Sequence, residues 1–179
     1  MQVDLSSNYF ELFGLTPEYS IDVSLLTERR QELQKALHPD RFVGAADAER
    51  RYSMQAASMV NEAYQVLSTP LARAGYLLKL RDIDLDVETD TRMAPEFLMQ
   101  QMELREAIGE VKSASDPYAA IDQIRKTLGD LAGDTETAFA SAYSSDDLAA
   151  ARDSVRQWQF IDKLSREVND IEAVLDDAS

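Results

Sequence analysis

Pro39 limits the fold of this chain more than any other residue, because it stands between two segments with helical periodicity. Proline has no amide hydrogen and disfavours helical geometry in the residue before it, so a helix arriving from the N-terminal side must stop at or near His38. The stretch Ala36-Leu37-His38-Pro39-Asp40-Arg41-Phe42 is therefore a connection between helices. It displays the only histidine of 179 residues beside the Asp40 carboxylate on a loop.

The segments on either side specify a hairpin. From Asp22, a suitable N-cap, to Leu37, apolar Leu26, Leu33 and Leu37 recur at helical spacing, with Arg29, Arg30 and Lys35 among the polar positions. Arg30 falls on the leucine stripe, so its stem is expected to pack while its guanidinium reaches water. After the loop, Gly44 and Asp47 precede a second helix from about Ala48 to Leu67, whose stripe is Ala56, Val60, Ala63 and Leu67. A short connection makes the two antiparallel, and the alanines permit close approach. Upstream, Asn8 to Leu15 is an aromatic-rich block that suits a brief helix closed at Gly14, after which Thr16-Pro17 turns the chain. Downstream, Thr69-Pro70 reads as an N-cap and a first-turn proline opening a helix with Tyr76, Leu77, Leu78 and Leu80.

Between Arg81 and Ala94, Asp82, Asp84, Asp86, Glu88 and Asp90 alternate with small or apolar residues and helical periodicity lapses. This reads as a linker, residues 81–94. Three more helical stretches follow. One spans Pro95 to Val111; a second is capped by Asp116-Pro117, with Tyr118, Ile121, Ile124, Leu128, Leu131 and Phe139 inward; a third starts at Ser145 and runs towards Asp176. Gly129 and Gly133 weaken the middle one. No strand-like alternation of useful length occurs, so the chain is expected to be all-α, with an N-terminal helical hairpin at 1–80 and a three-helix bundle at 95–179.

Composition removes several function classes. No cysteine and a single histidine exclude disulfides, thiol nucleophiles, thiolate metal sites and any cluster of histidines around zinc; no metal or other cofactor is expected. Residues 1–80 carry 8 Lys and Arg against 10 Asp and Glu, whereas residues 81–179 carry 10 against 23. So acidic a chain is not expected to bind nucleic acid or an anionic membrane surface. No run approaches the ~20 apolar residues of a membrane span and no signal peptide is evident, so the expected location is the cytoplasm.

The helix from Pro95 carries more apolar surface than one core needs. At about 100° per residue, Phe97, Leu104, Ile108 and Val111 form a sufficient inward stripe. Met99, Met102 and Glu106 fall near the opposite pole, with Glu103 and Glu110 beside them and Leu98 on the border. Two readings are open: this second face packs on a neighbouring helix or on the N-terminal domain, or it is an exposed protein-binding patch with an acidic rim. In the last helix Ile161, Leu164, Val168, Ile171 and Leu175 form the core stripe, with Phe160 at its edge, where simple core packing is one reading.

Three roles are open to the His38 loop. His38 and Asp40 have the chemistry of a general acid and base, but no phosphate-cradling Gly-rich loop, nucleophile elbow or metal constellation accompanies them, so an enzyme is not expected. The loop is alternatively a simple chain reversal, or a rigid plug for another protein, flanked by Arg29, Arg30, Lys35 and Arg41.

These residues resemble a J-domain: the Asn8–Leu15 block, the basic helix before His38-Pro39-Asp40, Arg41-Phe42 and Asn61-Glu62-Ala63-Tyr64-Gln65-Val66-Leu67 match its pattern in order, over residues 8 to about 80. Pro70-Leu71-Ala72-Arg73-Ala74-Gly75-Tyr76-Leu77-Leu78, Phe97-Leu98-Met99-Gln100-Gln101-Met102-Glu103-Leu104-Arg105-Glu106 and Phe160-Ile161-Asp162-Lys163-Leu164 are similar to the HscB family of iron–sulfur assembly co-chaperones. The resemblance implies a J-domain that stimulates ATP hydrolysis by a DnaK-type chaperone, HscA, through His38, Pro39 and Asp40 and the positive residues Arg29, Arg30, Lys35 and Arg41. It also implies a C-terminal domain that binds the cluster scaffold IscU through Leu98, Met99, Met102, Glu103, Glu106, Glu110 and Phe160. A general J-protein serving other clients is the alternative. Two positions depart from the pattern, Gln100 where an acid is frequent and Arg30 where an aromatic residue is frequent. A cysteine-containing N-terminal extension and a transit peptide are not seen, which favours a bacterial cytoplasmic form over a processed organellar one.

Overall fold

The computed structural model describes residues 3–85 and 95–177, and every regular element in them is helical. The chain divides into two compact units, Met1–Arg81 and Asp82–Ser179. Of the segment read as a linker, residues 86–94 lie outside the described residues. Its first residues form a turn in which Asp82 has φ 59°.

In the first unit, α1 (Tyr9–Leu12) is one helical turn closed at both ends. Asn8 Oδ1 accepts from the Glu11 amide and Glu11 Oε2 accepts from the Asn8 amide, a reciprocal cap, and Gly14 then takes φ 65°, where a side chain would be strained. Helix α2 (Val23–Ala36) starts at Asp22, whose carboxylate accepts from Ser24 and Leu25 N–H. Helix α3 (Asp47–Ser68) opens with the Glu49 carboxylate accepting from the Ala46 amide, and α4 (Pro70–Lys79) follows after one residue. Helices α1, α2 and α4 all pack on α3. Its Ala56, Val60, Ala63 and Leu67 are completely buried, as the spacing requires, and so are Phe10, Phe13, Leu26 and Leu77 of the same unit.

Three expectations in this unit are corrected. Thr69 begins α4 by position, but its side chain makes no capping bond; its carbonyl serves the Arg73 amide instead. Leu80 is the exposed C-cap of α4, which ends at Lys79, rather than one of its helical residues. The partly buried Arg30 guanidinium does not simply reach into water: it lies 4.3 Å above the Tyr64 ring of α3. An arginine thus supplies flat packing surface where an aromatic ring would also fit.

Tyr9 ties α1 to the rest of the unit. Its ring stacks on Tyr76 at 4.4 Å, and its hydroxyl donates to Glu62 at 2.7 Å. Burial first, and then the Glu62 hydrogen bond, push the Tyr9 phenol up to about 12. A folded pKa above the unfolded value of about 10 means that the neutral phenol's contribution is complete below pH ~10 and is lost as pH rises through ~12. Urea midpoints should therefore fall more steeply between pH ~9 and ~11.5 in the wild type than in Tyr9→Phe; equal falls would refute this account.

The second unit is built on α6 (Pro117–Ser144) and α7 (Leu148–Asp177), which share the most extensive packing in the molecule. Helix α5 (Pro95–Glu110) lies on this pair through Phe97, Leu104 and Ile108, and a short 3-10 turn, Val111–Ser113, leads from it to α6. Ile121, Leu128, Ile161 and Leu164 are fully buried in one core cluster, and Phe139 is completely buried further along α6. Phe139→Ala should therefore be among the costlier single changes, at about 3–5 kcal/mol.

Two expectations are corrected here as well. Helix α7 starts at Leu148 rather than Ser145, because Ser145 ends α6: its amide goes back to the Ser141 carbonyl. Asp146 then takes φ 62°, and Asp147 is the residue that caps α7, accepting from the Ala150 amide at 3.0 Å. Tyr118 does not face inward; it is exposed, and its hydroxyl donates to Asp176 near the end of α7. Gly129 and Gly133 lie on the exposed back of α6, where an added Cβ meets nothing within 4 Å. Replacing each by alanine should stabilise the unit by about 1 kcal/mol. A urea midpoint that stays level or falls in Gly129→Ala with Gly133→Ala would contradict this.

Candidate functional surfaces

The first surface is the tip of the α2–α3 hairpin. Helix α2 ends at Ala36, the Leu37 amide makes the last helical bond to Leu33, and His38 is extended at φ −60° and ψ 133°, as a residue before proline should be. The expected loop is more ordered than a loop. Pro39–Phe42 form one 3-10 turn that His38 caps: Asp40 N–H donates to His38 Nδ1 at 3.4 Å and Arg41 N–H to the His38 carbonyl at 3.0 Å. The turn is also fixed from behind. Buried Ser53 on α3 donates its hydroxyl to the Leu37 carbonyl at 2.9 Å, pinning the residue before His38 to the opposite helix.

The two side chains at the tip face water. His38 is 60% and Asp40 85% exposed, and His38 Nδ1 stands 3.5 Å from Asp40 Oδ2. The Asp40 amide and the Asp40 carboxylate thus both lie beside the same ring nitrogen. With so little desolvation, the pair lacks the enclosed surroundings in which proton transfer is usually catalysed.

The basic residues around the turn do not form one stripe. Arg29 and Lys35, six residues apart on α2, point about 120° away from each other. Arg29 pairs with Glu32 at 3.2 Å, Arg30 is laid on Tyr64, and Lys35 and Arg41 are exposed near the tip. Arg73, for which residue spacing alone predicts no role, is buried, donates to the Leu67 carbonyl at the end of α3 and lies over Tyr19. Only the three-dimensional approach of α4 to the end of α3 reveals that contact.

The second surface is the outward face of α5. Phe97, Leu104, Ile108 and Val111 are buried, so one stripe suffices for the core. Leu98, Met99 and Met102 are 44%, 63% and 72% exposed, which sets aside their packing on a neighbouring helix. Glu103, Glu106 and Glu110 are exposed beside them and form no ion pair among the described residues. Contiguous apolar surface with an acidic margin is the composition of a protein-binding patch.

Phe160 reaches this surface from α7. It is half-buried, meets Phe97 edge-on at a ring separation of 5.9 Å, and lies beneath the Arg105 guanidinium at 5.4 Å. It therefore both packs and shows a ring edge at the α5–α7 seam. On the other flank of α5, beside Glu103, a groove of about 310 Å³ runs between Leu104 and Ala107 and the Ile124 and Leu131 side chains of α6. Among the described residues no group of three or more metal-ligating side chains comes together, and no helix is long and apolar enough to cross a membrane.

The chain is similar to known proteins along most of its length. Residues 93–169 match a family described as the HSCB C-terminal oligomerisation domain. The chain is 40% identical over 171 residues to a protein of Shewanella loihica named "Co-chaperone protein HscB homolog", covering 94% of this chain and 99% of that one. It is 42% identical over 171 residues to the homologue of the same name from an Azoarcus species, covering 95% and 96%. Among solved structures it is similar to chaperone HscB from Vibrio cholerae, with a TM-score of 0.83 and 38% identity over 94% of this chain and 99% of that one. Human co-chaperone protein HscB gives a TM-score of 0.87 at 28% identity, covering 96% and 85%.

Proposed function

Because the chain belongs to the HscB family of co-chaperones, with the J-domain and C-terminal helical bundle of that fold, we propose that it serves iron–sulfur cluster assembly by bringing a scaffold to a chaperone ATPase. Residues 1–80 are the J-domain, 81–94 the linker and 95–179 the scaffold-binding domain. His38, Pro39 and Asp40 dock on a DnaK-type chaperone, HscA, assisted by Arg29, Arg30, Lys35 and Arg41, and trigger hydrolysis of the ATP that the chaperone holds. Leu98, Met99, Met102, Glu103, Glu106, Glu110 and Phe160 hold the scaffold IscU. The chain hydrolyses nothing itself and works in the cytoplasm, without a metal or other cofactor of its own.

The physical division of labour follows from the two surfaces. A capped 3-10 turn loses little conformational freedom on docking, so its binding free energy is available to favour one state of the ATPase. The α5 face can follow the contours of a folded client through two flexible methionines, while its carboxylates choose a partner by charge. One observation carries the proposal: the exposed Leu98, Met99 and Met102 cluster is surface that a J-domain serving arbitrary clients does not need.

The decisive assay measures the steady-state ATPase of purified HscA with this chain, with and without purified IscU. The chain alone should accelerate turnover, and IscU should accelerate it further. Equal acceleration by an unrelated client protein would favour the general J-protein reading. Because the turn is flanked by Lys35 and Arg41, apparent affinity for the ATPase should also fall as salt is raised from ~50 to ~300 mM. A flat response would remove the charged contribution from the docking account.

A further inference from the structure

Arg105 follows Leu98 by seven residues and Met102 by three, so at about 100° per residue it shares a flank of α5 with both. Its guanidinium faces the Phe160 ring at 5.4 Å. Three carboxylates, Glu103, Glu106 and Glu110, occupy the same helix, yet Arg105 pairs with none of them among the described residues. The cation is spent on a ring. That ring, in turn, is the one part of the proposed scaffold surface that does not come from α5, and Phe97 meets it edge-on.

We infer that Arg105 is a positioning residue, whose guanidinium, with the edge of Phe97, holds Phe160 at the α5–α7 seam level with Leu98 and Met102 so that the surface is formed before its partner arrives. This rests on the reading of the α5 face as the scaffold site. A half-buried phenylalanine at a helix seam has few restraints on its ring, and ordering it on docking would weaken the complex. A cation over one face removes part of that cost beforehand.

The test is a double-mutant cycle read by titration with purified IscU, using Arg105→Ala, Arg105→Lys, Phe160→Ala and the pair Arg105→Ala with Phe160→Ala. Arg105→Ala should weaken binding about two- to fivefold. Arg105→Lys should restore most of it, and Arg105→Ala should add nothing once Phe160 is absent. Undiminished binding, or the same loss with and without Phe160, would overturn the assignment. A second arm needs no partner: the aromatic NMR signals of Phe160 in the free chain should shift in Arg105→Ala and remain nearly in place in Arg105→Lys. Unmoved signals in Arg105→Ala overturn the positioning role whatever the titration gives. If instead the signals shift but the variant Met99→Ala with Met102→Ala binds IscU normally, the ring contact stands and the scaffold reading falls.

Discussion

Asp40→Asn should leave the partner ATPase at its unstimulated rate while the melting temperature and helicity of the chain stay at wild-type values. The two halves of this expectation have separate causes. The Asp40 side chain is 85% exposed, and its one close partner is His38 Nδ1 at 3.5 Å. Exposed pairs of this kind contribute about 0–1 kcal/mol, so the fold has little to lose. The turn also survives the change, because the Asp40 contribution to it is a backbone amide on His38 Nδ1, and asparagine keeps that amide. What is lost is the negative charge presented at a fixed distance from the imidazole, which is the feature that a partner's cation would read. Stimulation retained within about twofold in the variant would remove Asp40 from its assigned role.

The pair Met99→Ala with Met102→Ala should weaken IscU binding by roughly a hundredfold without unfolding the chain. At 63% and 72% exposure these side chains contribute little to the free fold, and alanine is the better helix former. Fully burying a methionine yields about 1.5–3 kcal/mol, so burying the exposed two thirds or so at each position amounts to about 1–2 kcal/mol, a factor of about five to thirty apiece. Isothermal titration of the double variant decides the matter. Unchanged affinity would mean that the apolar face of α5 is not the scaffold site, while a lowered melting temperature would mean that the two methionines pack more than their exposure implies.

The parts of this structure that were legible in the sequence are those governed by neighbours along the chain. Pro39 stops α2 because of its own ring, the leucines of α2 and the small stripe of α3 declare their buried sides by spacing, and the surplus of apolar residues on α5 is visible from angle alone. What the sequence concealed depends on which elements meet. Nothing local says that Arg30 will find Tyr64, that Arg73 will be drawn under the end of α3, or that Ser53 will reach the Leu37 carbonyl. Tyr118 reads as one more apolar position until the far end of α7 offers Asp176 to its hydroxyl. Ser145 misled for a related reason, since serine suits the end of one helix and the start of the next, and only the Ser141 bond shows which it serves. Arg105 is the exception: its spacing from Leu98 and Met102 was readable, but the ring that gives the position meaning comes from α7.

The unequal packing of the second unit has a kinetic consequence. Helices α6 and α7 are tied at their distal ends by Tyr118 to Asp176 and by Arg125 to Glu172 and Asn169, and they pack along their length, whereas α5 rests on them through three buried side chains. A hairpin of two long neighbouring helices forms from near-sequence contacts and should collapse early, with α5 docking on it afterwards. Amide exchange should accordingly be fastest in α5 and slowest in the centres of α6 and α7. The helix that carries the proposed client-facing residues should thus be the one of its unit that detaches most readily, and a bound client should slow its exchange more than that of α6 or α7.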